Sequence, residues 1–326
     1  MSEVQENISV EVHLGPHNTR TDFAFFENAL KDGVDVYVPE HNAYTQDDVH
    51  GYKKVASGDS KVYQKVRERL NPDSMFAAQF SALFASRVQV ELFDVPAAEY
   101  YADSTALALL KDGERGANGS SADETVERFL ASADLSARTT NLRNEKIARN
   151  LVTRLPGFVA QHPRLAQKDQ VNVLVTLGDL HFQVPTLLGD SFAVSANEIT
   201  QSDMAADEQC AVKMSLGEEI DEELVYRGAA AALLSPYVHG DDTAERRSTM
   251  NRIVQDAGQD EIEVILEARS GGPSVVHELL RSRLGYLGIE GGKDFQLTKP
   301  WAYAQYVPRM VNERVNGRVV AVSSLF

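Results

Sequence analysis

Residues 171–177, Val-Asn-Val-Leu-Val-Thr-Leu, form a near-continuous apolar run bounded by polar Gln170 and by Gly178. Such a run reads as an inner strand, covered on both faces as in the parallel sheets of α/β proteins. The segments before it supply the matching alternation of strand-like and helix-like stretches. Residues 8–14 carry β-branched side chains at alternate positions and stop at Gly15-Pro16, a turn signal. Thr21 can cap a helix bearing Phe23, Phe26, Ala29 and Leu30 at helical spacing, with Asp32-Gly33 closing it and residues 34–38 forming a second strand. This β-α-β unit predicts that the first two strands are parallel neighbours joined by a right-handed crossover. Helices are expected at 62–70 and 75–86, a third strand at 88–93, a helix at 97–110, and strong helical composition marks 139–160. The expected class is α/β, a mixed or mostly parallel central sheet flanked by helices, with a mainly helical C-terminal lobe.

The change of character falls near residue 200. Residues 203–223 hold eight acids and one base, and residues 256–267 hold five acids and no base. Both blocks keep apolar positions at helix-compatible spacing, so they read as solvated helix faces. Helices are expected at about 218–234, 242–256 and, opened by Pro273, 273–284, with a late edge strand at 317–324. The expected division is an α/β core domain at 1–200 and an acidic helical region at 201–326. The glycine-rich segment 111–121 reads as a surface excursion within the first domain.

Charge and composition exclude several function classes. Thirty-two Lys and Arg stand against 48 Asp and Glu in 326 residues, a net charge of −16. A surface of that sign repels phosphate backbones and anionic headgroups, so neither a nucleic acid nor a membrane is expected as partner. The acidic start of the chain is unlike a secretory leader, and a cytoplasmic location is expected. The single Cys210 forbids an intramolecular disulfide and a multi-cysteine zinc cluster, leaving His and carboxylates as the ligands for any metal. Phosphate-binding loops, dinucleotide fingerprints, His-Glu-x-x-His and the nucleophile-elbow motif are all missing from the sequence.

Four places concentrate titratable residues at strand ends or on a helix leading into a strand, the edge where open α/β sheets bind ligands. His13 and His17 flank the Gly15-Pro16 turn; Glu40 and His41 follow the second strand. Arg143, with Asn144, Glu145 and Arg149, lies on the predicted 139–160 helix; Asp179 and His181 follow the strongest strand. Glu40 calls for a partner because a carboxylate ending an apolar strand is costly to bury alone. His50 is assigned to a polar loop, and His162, His239 and His277 to structural roles. Cys210, in an acidic segment, makes a poor nucleophile.

These motifs resemble the superfamily of erythromycin esterases, ChaN-like haem-uptake lipoproteins, TraB/PrgY proteins and Tiki metalloproteases. The resemblance covers residues 8–189: a strand ending in His13-Leu-Gly-Pro-His17, a strand ending in Val38-Pro-Glu40, the Arg143–Leu151 helix, and Gly178-Asp-Leu-His181. It implies a water-activating hydrolase of an ester, lactone or peptide-like substrate, with Glu40, His181, Arg143 and His17 in catalysis and His13, His41 and Asp179 near the substrate. One branch implies a divalent ion (Mn, Co or Zn) on His17, Glu40 and His181; another implies a His acting as general base. No Gly stands three residues before His13 or His17, which departs from the usual first motif and leaves both as candidates. The alternative from another class is a non-catalytic binding protein that keeps the fold and offers its acidic lobe to a basic partner.

Overall fold

The computed structural model describes residues 6–15, 25–26, 28–31, 33–70, 75–102, 121–197, 204–239, 243–289 and 296–297. The predicted cap at Thr21, the 111–121 segment, the 317–324 strand and His17 lie outside the described residues. Two compact units divide the chain: the first takes in Met1–Asp103 and Asn141–Ile199, the second Ser104–Thr140 and Thr200–Arg318. One boundary between the units falls at Ile199 and Thr200, and 104–140 group with the C-terminal unit.

Five parallel strands build the first unit: β1 (Ile8–Gly15), β2 (Val36–Pro39), β3 (Gln89–Val90), β4 (Val171–Gly178) and β5 (Ala193–Ala196), in the order β3-β2-β4-β1-β5. The predicted inner strand is thus central, flanked by both β1 and β2. The expectation that β1 and β2 are neighbours is corrected: β4 pairs with each of them, Gly15 opposite Gly178 and Pro39 opposite Thr176. Local sequence specifies a strand and its direction through the crossover, but any strand with a free edge can supply the ladder, so the insertion of β4 was not legible. Chain direction across the sheet reverses after β3, which creates the crevice position where such sheets take ligands.

Helices α1 (Gln46–Ser57), α2 (Ser60–Arg67), α3 (Met75–Ser86) and α4 (Ala97–Ala102) connect β2 to β3 and leave it. His50, assigned to a loop, is on α1; Thr45 caps that helix through a reciprocal box with Asp48. Gly58 ends it at φ 86°, where a side chain would also overlap the Arg87 guanidinium. The long α5 (Ala122–Gln161) contains the predicted 139–160 helix; α6 (Pro163–Ala166) leads into β4, and a 3₁₀ turn (Asp179–His181) and α7 (Val184–Leu188) lead out. One sheet face packs Val10, Val12, Val36, Val38, Val173 and Val175 against Ile147, Leu151, Leu155 and Phe158 of α5. The other packs Tyr37 and Leu174 against Tyr52, Val55, Phe80 and Leu83. That two-sided cover is what the apolar run of β4 requires.

The second unit is helical: α8 (Ala206–Leu216), α9 (Glu222–Leu234), α10 (Thr243–Gln255), α11 (Gln259–Glu267) and α12 (Pro273–Tyr286), with a short antiparallel pair, β6 (Val238–His239) and β7 (Gln296–Leu297). Its core joins Ala229, Ala230 and Leu234 to Ile253, Ile262, Leu266 and Leu280. Among the described residues no helix is long and apolar enough to cross a membrane.

Candidate functional site

The carboxyl edge of the sheet gathers polar groups from three strand ends and one helix. Glu40 follows β2 directly, and because β4 is the neighbouring strand, the Gly178 amide donates to Glu40 Oε2 at 2.5 Å. The chain beyond β3 stays buried through Leu92 and Phe93 and then presents Asp94, 2% exposed. Helix α5 crosses the sheet face with Ile147, Leu151 and Leu155 inward, and the same packing turns Arg143 and Asn144, one turn earlier, toward the strand ends. After β4, the 3₁₀ turn that starts at Asp179 carries His181 back over them.

Arg143 ties the carboxylates together. Its Nε donates to Asp94 Oδ1 at 3.0 Å and its Nη2 to Asp94 Oδ2 at 2.5 Å, a forked pair, while Nη2 also donates to Glu40 Oε1 at 2.7 Å. Burial by itself would depress the guanidinium's pKa; Asp94 and then Glu40 outweigh it and raise the group above its ordinary value, so it stays charged. Asp94 is fixed in turn: its carboxylate accepts from the backbone N–H of His41 and of Val95, and Asn150 Nδ2 donates to the carbonyls of Phe93 and Asp94.

His181, 4% exposed, places Nε2 3.4 Å from Glu40 Oε1 and Nδ1 2.5 Å from Asn144 Oδ1. Two carboxylates, one guanidinium and one imidazole therefore meet in one cluster. With the imidazole neutral its net charge is −1, and a proton on His181 brings it to zero. The cluster can hold a proton between a carboxylate and an imidazole, and it has a cation beside it for negative charge that develops in a reaction.

The structure brings together three of the four residues assigned to catalysis, Glu40, Arg143 and His181. His13, on β1, stacks its ring on Phe25 with centroids 3.6 Å apart. The His41 ring is buried, packs against Tyr52 and lies 3.9 Å from Asp48; burial holds its pKa below the usual value against the pull of Asp48 and Asp94, and the charges of Arg143 and Glu40 act on it as well. Its backbone N–H donates to Asp94. Asp179 is buried at the foot of the 3₁₀ turn. Glu145 and Arg149 are exposed on α5. The His162 ring is bonded to the Phe158 carbonyl, and Cys210 is buried with its thiol pushed up to about 12 by burial and by Asp207 and Asp221.

Sequence reasoning missed Asp94, and it gave Asn144, which stands in the singled-out Arg143 motif, no role. Asp94 obeys the rule that singled out Glu40, a carboxylate just beyond a buried strand. Asn144 carried a fainter signal, an amide side chain interrupting an apolar helix stripe that continues at Ala148, Leu151 and Leu155.

Of the three ligands the resemblance implies, His17 lies outside the described residues. Among the described ones no group of three or more His, Cys, Asp and Glu gathers as ligands would. Glu40 accepts from a guanidinium on one oxygen and from a backbone amide on the other, so an ion on Oε1 would press against Arg143.

The fold and cluster define an α/β protein with a charged, hydrogen-bonded site at the carboxyl edge of a parallel sheet. No protein-family model, curated protein or solved structure matches the chain.

Proposed function

We propose that the chain is a hydrolase that activates water between Glu40 and His181 and cleaves an ester, lactone or peptide-like bond of a small-molecule or peptide substrate. The observation that carries this reading is the 3.4 Å approach of His181 Nε2 to a Glu40 oxygen already bound by Arg143. With a lone pair on Nε2, both atoms at that gap are acceptors, and a water donating to them turns its own lone pair outward. As this lone pair attacks a carbonyl carbon, the proton passes to Nε2 and the Glu40 carboxylate steadies the imidazolium. Arg143 Nη1, which neither carboxylate binds, offers donors to the developing oxyanion. Collapse of the tetrahedral intermediate breaks the C–O or C–N bond, and His181 returns the proton to the leaving group. A cytoplasmic setting fits a chain whose one cysteine is buried as a thiol.

The test is turnover of a panel of esters, lactones and peptides by the intact chain and by Glu40→Gln and His181→Ala, with folding checked by circular dichroism. Each variant is expected to lose about 10²-fold or more in kcat. Rates unchanged in both variants overturn the reading.

A further inference from the structure

We infer that Asn144 is a positioning residue that sets the tautomer of His181, placing the ring proton on Nδ1 and the lone pair on Nε2, where it faces Glu40. Asn144 is fully buried and its Oδ1 lies 2.5 Å from His181 Nδ1. An amide oxygen can only accept, so with Oδ1 on this side Nδ1 carries the hydrogen, and a neutral imidazole has only one; the buried Asn144 Nδ2 has no partner among the described residues, so the orientation of the amide rests on this bond together with the Glu40 contact across the ring. The free side chain favours the opposite form, with the proton on Nε2, so the preference has to be imposed by the fold.

The other side of the ring agrees. If Nε2 carried the proton, a charge-assisted bond to the Glu40 carboxylate would close to about 2.7–2.9 Å. The atoms stand 3.4 Å apart, the separation of two acceptors held near each other without a hydrogen between them. Glu40 cannot drift closer or away, because Arg143 Nη2 and the Gly178 amide hold its two oxygens. Asn144 follows Arg143 on the same stretch of α5, so one helix pairs the carboxylate with one residue and sets the tautomer of the imidazole with the next. The catalytic consequence rests on the hydrolase reading; the tautomer does not.

The deciding measurement is the two-bond ¹H–¹⁵N spectrum of the histidine-labelled full chain at neutral pH. In the wild type, His181 is expected to show a protonated Nδ1 and an unprotonated Nε2. Asn144→Asp, which keeps an acceptor, retains that pattern, while Asn144→Leu, similar in volume and without one, makes the two nitrogen resonances exchange places. On a substrate that the wild type turns over, Asn144→Leu lowers kcat about 10²-fold or more with KM little changed, and Asn144→Asp restores most of it. A wild-type spectrum with the proton on Nε2, or on both nitrogens, overturns the inference even if no variant folds, and so does a Leu variant with the wild-type pattern. Should the tautomer stand while Glu40→Gln and His181→Ala leave hydrolysis intact, the hydrolase reading falls alone; the reverse result removes only the role of Asn144.

Discussion

The Arg143 cluster of the sheet unit and the Arg138–Asp134 pair of the helical unit handle charge in opposite ways. In the sheet unit, Arg143 is 15% exposed and its partners Asp94 and Glu40 are 2% and 17% exposed, so opposite charges are enclosed together at the strand ends. In the helical unit Arg138 and Asp134 pair at the surface, 70% and 49% exposed, while Arg247 and Glu208 form a second enclosed pair at 10% and 24%. Enclosure converts charges into fixed, mutually dependent parts, while water screens the surface pairs nearly independently. Acidic side chains are divided almost evenly between the two units, so the net charge of the chain says little about what the enclosed cluster binds.

Removing the central cation tests that contrast most severely. Arg143→Met leaves two enclosed carboxylates uncompensated and is expected to cost about 3–5 kcal/mol in urea unfolding. The matching change on the helical unit, Arg138→Met, breaks an exposed i,i+4 pair with Asp134 on α5 and costs about 1 kcal/mol or less. Equal costs would erase the distinction between the two arrangements.

Asp207, on α8, sharpens the comparison from the other side, as an acid of the helical unit withdrawn from water beside a second acid, Glu208. Burial, and next the neighbouring Glu208 charge, raise its pKa to about 6. A raised acid contributes its full stability below the unfolded value of about 3.9 and loses it as pH climbs through the folded one. Asp207→Asn is therefore expected to stabilise the chain at pH 7 by an amount on the order of 1–3 kcal/mol, and to make no difference below about pH 4. Thermal unfolding of both proteins at the two pH values checks it, and a gain that is larger at the acid end refutes the sign. The smallest effect is local: Thr45→Ala removes the cap of α1 and is expected to cost about 1 kcal/mol, read from the urea midpoint.

Much of the sheet unit could be read along the chain. The apolar run ending at Gly178 announced a covered strand, and Glu40 and His181 drew notice because each follows a strand that burial makes apolar. Arg143 needed only a helical stretch to be placed. The misses share one cause. His41 looked like a site residue because it follows Glu40, yet its ring is buried against Tyr52, and it is the backbone N–H that donates to Asp94. Asp94 and Asn144 were passed over because their importance lies in partners far along the chain: Arg143 is 49 residues from Asp94, and His181 is 37 from Asn144.

By itself the sequence determined the elements, since periodicity, caps and turn residues act within a few positions. It also placed Glu40 and His181 just beyond strands and Arg143 on a helix. Only the tertiary structure decided that β4 enters between β1 and β2, which sets the Gly178 amide on Glu40, and that α5 crosses above them, which brings Arg143 and Asn144 to Asp94 and His181. The physical reason is that a ladder of backbone hydrogen bonds is the same for every parallel partner. Strand order is selected by how the apolar faces of the whole unit close, a property that no short stretch of residues contains.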